Sequence, residues 1–179
     1  EVPGVLFEVW VHLATLLSIL LIYRNRIAEL SKGILGKDRS ALEYIALVGL
    51  ATLPAVVAGL FLGDLVKVMF DSPVIPGVAL LVTGAVLWTS RRISVPSVGD
   101  RPGWIGALVI GLVQAFALIP GISRSGTTVV TALWLGLKTE DAAAFSFLMA
   151  IPVILGATLL QLSEIGSSQS LPALTLLLA

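Results

Sequence analysis

The chain has 179 residues, of which 57% are hydrophobic and 12% are charged. A soluble domain carries about twice that share of charged residues, so the composition is that of a helical membrane protein. Equal numbers of basic and acidic residues give a net charge of zero, which argues against a nucleic-acid partner. With no cysteine and one histidine, His12, we expect neither a disulfide framework nor a metal site within this chain.

Three apolar segments of bilayer length come first in the chain, at residues 5–23, 42–62 and 74–90. Basic residues are concentrated in the segments 24–40 and 91–103, whereas Lys67 is the only basic residue in the segment 64–73. The positive-inside rule therefore predicts that 24–40 and 91–103 are cytoplasmic loops. The same rule places 64–73 on the opposite side of the membrane.

The region that follows is apolar but interrupted. Residues 104–118 and 127–137 are each too short to cross a bilayer comfortably, and Pro120 and Gly121 break the helical pattern between them. Backbone that leaves the helix at membrane depth is tolerated only where protein buries it or where it lines a polar cavity. We therefore predict two half-helices that meet at a Ser-Arg-Ser turn, either as a re-entrant hairpin or as one discontinuous span.

The last full span is predicted over residues 140–165, with Thr139 as its cap, and residues 171–179 open a further apolar segment. The predicted fold is thus all-α, a polytopic helical membrane protein with one integral membrane domain over 1–179. Small residues that pack a helix bundle also pack dimers, so a homo-oligomer stays open. Because the first residue is Glu1 and 171–179 is too short to span, we expect a part of a longer protein.

Arg124 is the only charged residue between Arg101 and Lys138, and it lies in the break. Around it are four hydroxyl side chains that can each donate to a phosphate oxygen, those of Ser123, Ser125, Thr127 and Thr128. Two glycines accompany them: Gly121 is expected to permit backbone angles closed to other residues, and Gly126 to let the chain approach a ligand closely. Insertion of an arginine at the centre of a membrane helix costs about 2.5–3.5 kcal/mol even on the scales that give the lowest values. Such an arginine is therefore expected to have a hydrogen-bonding or charged partner and a function. Its planar fork suits phosphate, as do the N–H groups that begin the next half-helix. The pattern predicts an anion site, and the alternative is an Arg124 that only bonds carbonyls or a buried carboxylate.

Three more polar residues are candidates for a place near this site. Gln114 precedes the break and is predicted either to bond the turn or the bound anion, or to serve as a structural amide. Glu8 and His12 lie four residues apart on one helical face. A buried Glu8–His12 pair is the simpler interpretation, and the alternative is that the pair supports the site from behind.

Residues Gly111 to Thr128 resemble the signature of the undecaprenyl-diphosphate phosphatase family, the bacitracin-resistance type. The family's mark is Pro-Gly-x-Ser-Arg-Ser-x-x-Thr, and every fixed position is matched from Pro120 to Thr128. Further family-like segments follow the expected order along the chain, at Phe7–Leu16, Ala51–Ala55 and Ala143–Ala157. The resemblance thus covers effectively the whole chain.

This resemblance implies hydrolysis of undecaprenyl diphosphate to undecaprenyl phosphate and inorganic phosphate, which recycles the lipid carrier for peptidoglycan synthesis. It implies an inverted-repeat fold with paired re-entrant hairpins in the bacterial inner (plasma) membrane. By the same resemblance, Arg124 clamps the diphosphate, and Ser123, Ser125 and Thr128 line its pocket. The expected partners are therefore a polyprenyl diphosphate lipid and the membrane.

One family motif, a glutamate-rich stretch followed by Ser-Ser-Thr-x-His, is not found in the chain and is expected upstream of Glu1. The resemblance assigns to it the carboxylates that would hold a magnesium or calcium ion, together with the catalytic histidine and a candidate nucleophilic serine. Residues 102–137 contain no ionisable side chain except Arg124, so general acid–base chemistry needs another segment. We therefore expect residues 1–179 alone to be inactive. The alternative function is a membrane transporter or lipid translocase that binds a phosphorylated substrate at the broken helix.

Overall fold

A computed structural model describes the backbone of residues 2–91, 93 and 99–177 and the side chains of residues 9–91, 93 and 99–159. Within these ranges the chain forms seven helices, namely α1 (Val2–Ile22), α2 (Arg24–Leu35), α3 (Arg39–Phe70), α4 (Val74–Ser90), α5 (Trp104–Phe116), α6 (Arg124–Trp134) and α7 (Thr139–Leu177). The described part contains no strand beyond one isolated bridge between Gly99 and Leu137. The all-α prediction is confirmed.

Several of these helices have the length and hydropathy of membrane spans. α3 has 32 residues and is apolar enough to cross a bilayer, as is α7 over Thr139–Leu159. α1 and α2 meet at an angle of 74° and qualify as a third candidate when they are taken as one broken span. α4 and α5 are shorter apolar helices of 17 and 13 residues. The chain is a polytopic helical membrane protein, as predicted.

The helix bounds differ from the predicted spans in two places. The predicted loop 24–40 is largely helical, because α2 turns Leu30 and Ile27 toward the core while Arg24 and Lys32 are exposed. α7 continues through Gly166 to Leu177, so the predicted end of the span at residue 165 and the separate segment 171–179 are not observed. Residues 178 and 179 lie outside the described part. A glycine lowers helix propensity by only about 1 kcal/mol, so Gly166 alone does not end a long helix.

The core lies between α3, α5, α6 and α7. Tyr44 of α3 meets Phe145 of α7 edge to face, with ring centroids 5.8 Å apart. Ala51 of α3 and Gly111 of α5 let these two backbones approach closely, because a Cβ on Gly111 would lie 2.5 Å from the Ala51 carbonyl oxygen. Small residues at such crossings are typical of membrane helices.

The two half-helices α5 and α6 form a re-entrant hairpin. Gly99, which precedes α5, pairs with Leu137, which follows α6, so the chain enters and leaves on the same side. Arg101 ties this open end to the start of α3, with its Nη2 2.8 Å from Glu43 Oε2. Of the two predicted arrangements, the structure thus has the re-entrant one. α6 begins at Arg124 rather than at residue 127, so Arg124 lies in the first helical turn.

The tip of the hairpin reaches the middle of the bilayer-spanning part of α3. Gln114, near the tip, donates a hydrogen bond to the carbonyl oxygen of Ala51. Ala51 lies twelve residues beyond Arg39, the first residue of α3, which is about 18 Å along the helix at 1.5 Å per residue. Because the hydrocarbon core is about 30 Å thick, the polar motif at the tip lies near mid-depth.

Candidate functional site

The start of α6 presents unpaired backbone N–H groups at the hairpin tip. Ser123 caps the helix, and its Oγ accepts the N–H of Gly126 at 3.2 Å. The N–H of Thr127 donates to the Ser123 carbonyl at 2.9 Å. The N–H groups of Arg124 and Ser125 donate to no residue in the described part of the chain. Such groups at a helix N-terminus favour an anion.

The turn before α6 is held in place by α4. Gly121 has φ +93°, a left-handed conformation that favours glycine, and a Cβ there would overlap the carbonyl oxygen of Pro76. Thr83 of α4 donates from Oγ1 to the Gly121 carbonyl at 3.0 Å and accepts the Ser123 N–H at 3.1 Å. The predicted backbone role of Gly121 is therefore seen, together with a partner helix that the sequence did not indicate.

Arg124 lies at the centre of a polar chain that joins four helices. Its Nε donates to Gln114 Oε1 at 2.8 Å, and its Nη2 donates to the same oxygen and to the Met149 carbonyl, the latter at 3.1 Å. Gln114 is only 1% exposed, and its Nε2 donates to the Ala51 carbonyl at 3.2 Å. Gln114 thus bonds the motif, as one of its predicted alternatives states, while it also serves as a structural amide.

The two carbonyl groups that accept these side-chain hydrogen bonds, those of Ala51 and Met149, belong to helix turns that contain a proline. Ala51 is three residues before Pro54 in α3, and Met149 is three residues before Pro152 in α7. A proline cannot donate a backbone hydrogen bond, and its ring crowds the carbonyl four residues earlier. The carbonyls that lose their helical donor are therefore those of Leu50 and Leu148. The two acceptors, Ala51 and Met149, are the next residues in the same turns, and each carbonyl accepts a side-chain donor with its second lone pair.

The positive charge of Arg124 is not neutralised by any residue that the structure describes. The ion pairs found in those ranges involve other arginines and Lys67. The partners of Arg124 are neutral carbonyl and amide oxygens, and its Nη1 donates to none of the described residues. Ser125, the next residue, is half-buried, and its hydroxyl has no described partner either. Two consecutive residues therefore supply a cationic fork, a hydroxyl and two N–H groups.

Two predicted phosphate donors have other partners in the structure. Thr127 is buried, and its Oγ1 donates to the Ser123 carbonyl at 2.8 Å. Thr128 is also buried, and its Oγ1 lies 2.8 Å from the Arg124 carbonyl and 2.6 Å from Ser146 Oγ. These hydroxyls hold the first turn of α6 together and attach it to α7. The arrangement does not support their predicted contacts with phosphate.

Gly126 also has a different role from the one predicted. A Cβ at this position would lie 2.8 Å from Ser123 Oγ and 3.1 Å from Leu87 Cδ2. The space beside Gly126 is thus occupied by the capping serine and by α4 rather than open to a ligand. Gly126 permits the cap, and through the cap it supports the site.

The structure does not bring His12 to the motif. In the described part, α1 packs only on α2 and α7, so α7 lies between it and the hairpin. The Nδ1 of His12 is buried and has no hydrogen-bond partner there. The side chain of Glu8 lies outside the described residues, so the predicted Glu8–His12 pair is not assessed.

The described side chains do not assemble the ligand set of a divalent cation. No group of three histidine, aspartate or glutamate side chains that could hold a metal ion is found within the described ranges. The motif itself offers donors of positive character, which repel a cation and attract an anion.

Three hydrogen-bond partners that the motif has among the described residues were not predicted from the sequence, namely Thr83, Ser146 and the carbonyl of Met149. Thr83 is the one hydroxyl in the interior of the apolar helix α4, and this isolation is a signal that could have indicated it. The carbonyl of Met149 carries no side-chain signal, although the nearby Pro152 marks a loosened turn.

The family model for the bacitracin resistance protein BacA matches residues 1–179 of this chain. The chain is 39% identical over 168 residues to an undecaprenyl-diphosphatase of Methanococcus maripaludis (strain C6), and the match covers 93% of the chain and 67% of that relative. It is 43% identical over 176 residues to one of Alcanivorax borkumensis, with 93% and 65% covered. It is 38% identical over 181 residues to undecaprenyl-diphosphatase 1 of Bacillus cereus, with 97% and 67% covered. The chain spans about two thirds of the length of these relatives.

Proposed function

The chain belongs to the bacitracin resistance protein BacA family, and on this premise we propose that it is part of a membrane hydrolase that converts undecaprenyl diphosphate into undecaprenyl phosphate and inorganic phosphate. This reaction would recycle the lipid carrier for peptidoglycan synthesis in the inner (plasma) membrane of a bacterium. The observation that carries the proposal is an arginine at mid-depth whose charge no described residue neutralises, within a hairpin that matches the family over its whole length.

Arg124, Ser125 and Ser123 have distinct roles in this proposal. The transition state of phosphoryl transfer spreads negative charge over the equatorial oxygens of the transferred group. The Nη1 group of Arg124 and the N–H groups of Arg124 and Ser125 can donate to those oxygens, and the Ser125 hydroxyl can add one more bond. Ser123 shapes the helix start through its cap. Fixed donors of this kind stabilise developing charge without reorganisation.

The same donors cannot complete the reaction. Hydrolysis requires a water oxygen to attack phosphorus while the bond to the bridging oxygen breaks, and a base must take the proton of that water. Residues 102–137 contain no side chain able to do so. We propose that the base comes from another segment of the protein. A magnesium or calcium ion remains part of the proposal by family resemblance, but the described residues do not fit it, and no step is assigned to it.

An apolar cleft beside the motif suits the polyprenyl part of such a substrate. Its volume is about 540 Å³, and it is lined by Val74, Ile75, Val78, Ala79, Val82, Phe116, Ile119 and Ile122. Ile122 directly precedes Ser123, so the cleft ends beside the helix start that we propose for the diphosphate. Apolar walls with a polar group at one end are typical of sites for amphiphilic ligands.

Phosphate release from the full-length protein tests the proposed function. The purified protein is incubated in detergent with undecaprenyl diphosphate, and inorganic phosphate and the lipid monophosphate are measured over time. We expect equal amounts of the two products. Movement of intact lipid diphosphate across a proteoliposome membrane, with no phosphate released, would instead support a translocase and contradict the hydrolase.

A further inference from the structure

Thr83 directs its hydroxyl away from its own helix, unlike the other bonded threonines. A helical threonine commonly donates to the carbonyl three or four residues earlier. The described residues Thr15, Thr52, Thr89, Thr127, Thr128 and Thr131 all do so. Thr83 is 5% exposed and bonds instead to the turn before α6, 38 and 40 residues farther along the chain.

This hydroxyl satisfies the two backbone groups that flank Ile122. It donates to the Gly121 carbonyl at 3.0 Å and accepts the Ser123 N–H at 3.1 Å, which uses one donor and one acceptor position of the same oxygen. Neither backbone group belongs to a helix ladder, because the chain has left α5 and has not yet entered α6. A single side chain therefore fixes both sides of the turn.

The rest of the same α4 face also fits the motif. Pro76 contacts Gly121, and Leu87 lies against Gly126. Residues 76, 83 and 87 are spaced seven and four apart, so they lie on one face of the helix. α4 thus packs along the turn and along the first turn of α6. Among the described residues, Thr83 makes the hydrogen bonds between them.

We propose that Thr83 is a positioning residue for the reaction, which acts through the turn at 121–123 and not by contact with substrate. It fixes the direction in which α6 begins and thereby the place of the Arg124 and Ser125 N–H groups. This inference rests on the proposed hydrolase function. A displacement of catalytic groups by about 1 Å can lower the rate of a reaction by about 100-fold. Loss of the Thr83 hydrogen bonds to the turn can therefore slow catalysis.

Substitutions at Thr83 in the full-length protein test this inference. Thr83→Val keeps the shape and removes the hydroxyl, so we expect kcat per folded molecule to fall by about 10- to 100-fold, with a smaller change in KM. Thr83→Ser keeps the hydroxyl and should stay within about threefold of the wild type. Thr158→Val is the matched control, because Thr158 is also 5% exposed but bonds no described residue. It should leave kcat unchanged.

Hydrogen exchange at the Ser123 amide gives a readout that does not depend on activity. Thr83→Val removes the acceptor of this amide, so its exchange should become faster, whereas Thr158→Val should not change it. If Thr83→Val does not fold, Thr83→Cys, a weak donor, carries the test and should give intermediate rates. Wild-type kcat and wild-type exchange in the folded variant would overturn the inference. An inactive wild-type protein would contradict the proposed function, while faster exchange would still support the contact.

Discussion

Gln114 orients the guanidinium of Arg124 without neutralising its charge. A carboxylate at position 114 would neutralise the guanidinium and compete with an anionic substrate. The amide oxygen instead accepts two N–H bonds, which fixes the plane of the guanidinium while its charge remains available. The bond from Gln114 to the Ala51 carbonyl in turn fixes the amide. Arg124 is thus oriented by neutral partners, which suits the phosphate-binding role that we propose for it.

Replacement of Gln114 by leucine should destabilise the protein. Gln114→Leu keeps a similar volume but removes the acceptor of Arg124 and the donor to Ala51, which leaves both groups without these partners. We expect the free energy of unfolding in detergent to fall by about 2–3 kcal/mol. Thr52→Val is the control, because the buried Thr52 hydroxyl donates to its own helix, at the Val48 carbonyl, and to no other described residue. Equal stability of the Gln114→Leu variant and the wild type would show that the polar chain contributes little.

At the residue level, the sequence indicated the importance of Arg124 but not the roles of its neighbours. A lone charge in an apolar region stands out without any knowledge of the fold. The partner of a hydroxyl depends on the helix phase, and α6 begins three residues earlier than predicted. Thr127 and Thr128 consequently point their hydroxyls at carbonyls of the first turn and at Ser146.

At the level of elements, the crossing of α3 and α5 depends on the absence of a side chain at residue 111. Gly111→Ala would place a methyl group 2.5 Å from the Ala51 carbonyl oxygen and force the helices apart. We expect a loss of about 1–3 kcal/mol of stability in thermal or denaturant unfolding. Gly49→Ala in α3 meets no atom within 4 Å and should be neutral or more stable by up to about 1 kcal/mol. Similar effects of the two substitutions would contradict a close crossing.

The helix bounds show where sequence patterns succeed and where they fail. The bounds of α4 were predicted correctly, because turn residues and charges delimit its apolar run. α2 was missed because its basic residues matched a topology signal, although Ile27, Leu30 and Ile34 recur at helical spacing. The early start of α6 was missed because Gly126 was interpreted as part of the break. Its missing Cβ instead makes room for Ser123 and Leu87, a packing effect that local sequence does not encode.

At the level of the whole molecule, the re-entrant path of α5 and α6 has a topological consequence. Residues 1–179 contain no cysteine, so none of them adds background labelling to a single introduced cysteine. Asp100→Cys and Lys138→Cys, both at exposed positions that flank the hairpin, should react with an impermeant thiol reagent from the same side of the membrane. Asp71→Cys, at the other end of α3, should react from the opposite side. Labelling of positions 100 and 138 from opposite sides would demonstrate a discontinuous span.

The sequence left this path open because both arrangements have the same local pattern. Two short apolar helices around a Pro-Gly break are compatible with a crossing and with a return. Only long-range contacts decide between them, here the pairing of Gly99 with Leu137 and the position of Leu135 beside Gly106. Composition and charge were sufficient to predict a membrane protein, whereas the re-entrant path could be seen only from the packing of the helices.

The rate of phosphate release by an Arg124→Lys variant of the full-length protein tests the central claim most directly. Lysine keeps the charge but lacks the planar fork that bonds Gln114 and Met149 and leaves Nη1 for the ligand. We expect kcat/KM for undecaprenyl diphosphate to fall by at least about 100-fold in the folded variant. Arg91→Lys, at an exposed arginine beside Trp88, should retain the wild-type value. A folded Arg124→Lys variant with wild-type kcat/KM would contradict a role for this guanidinium in holding the diphosphate.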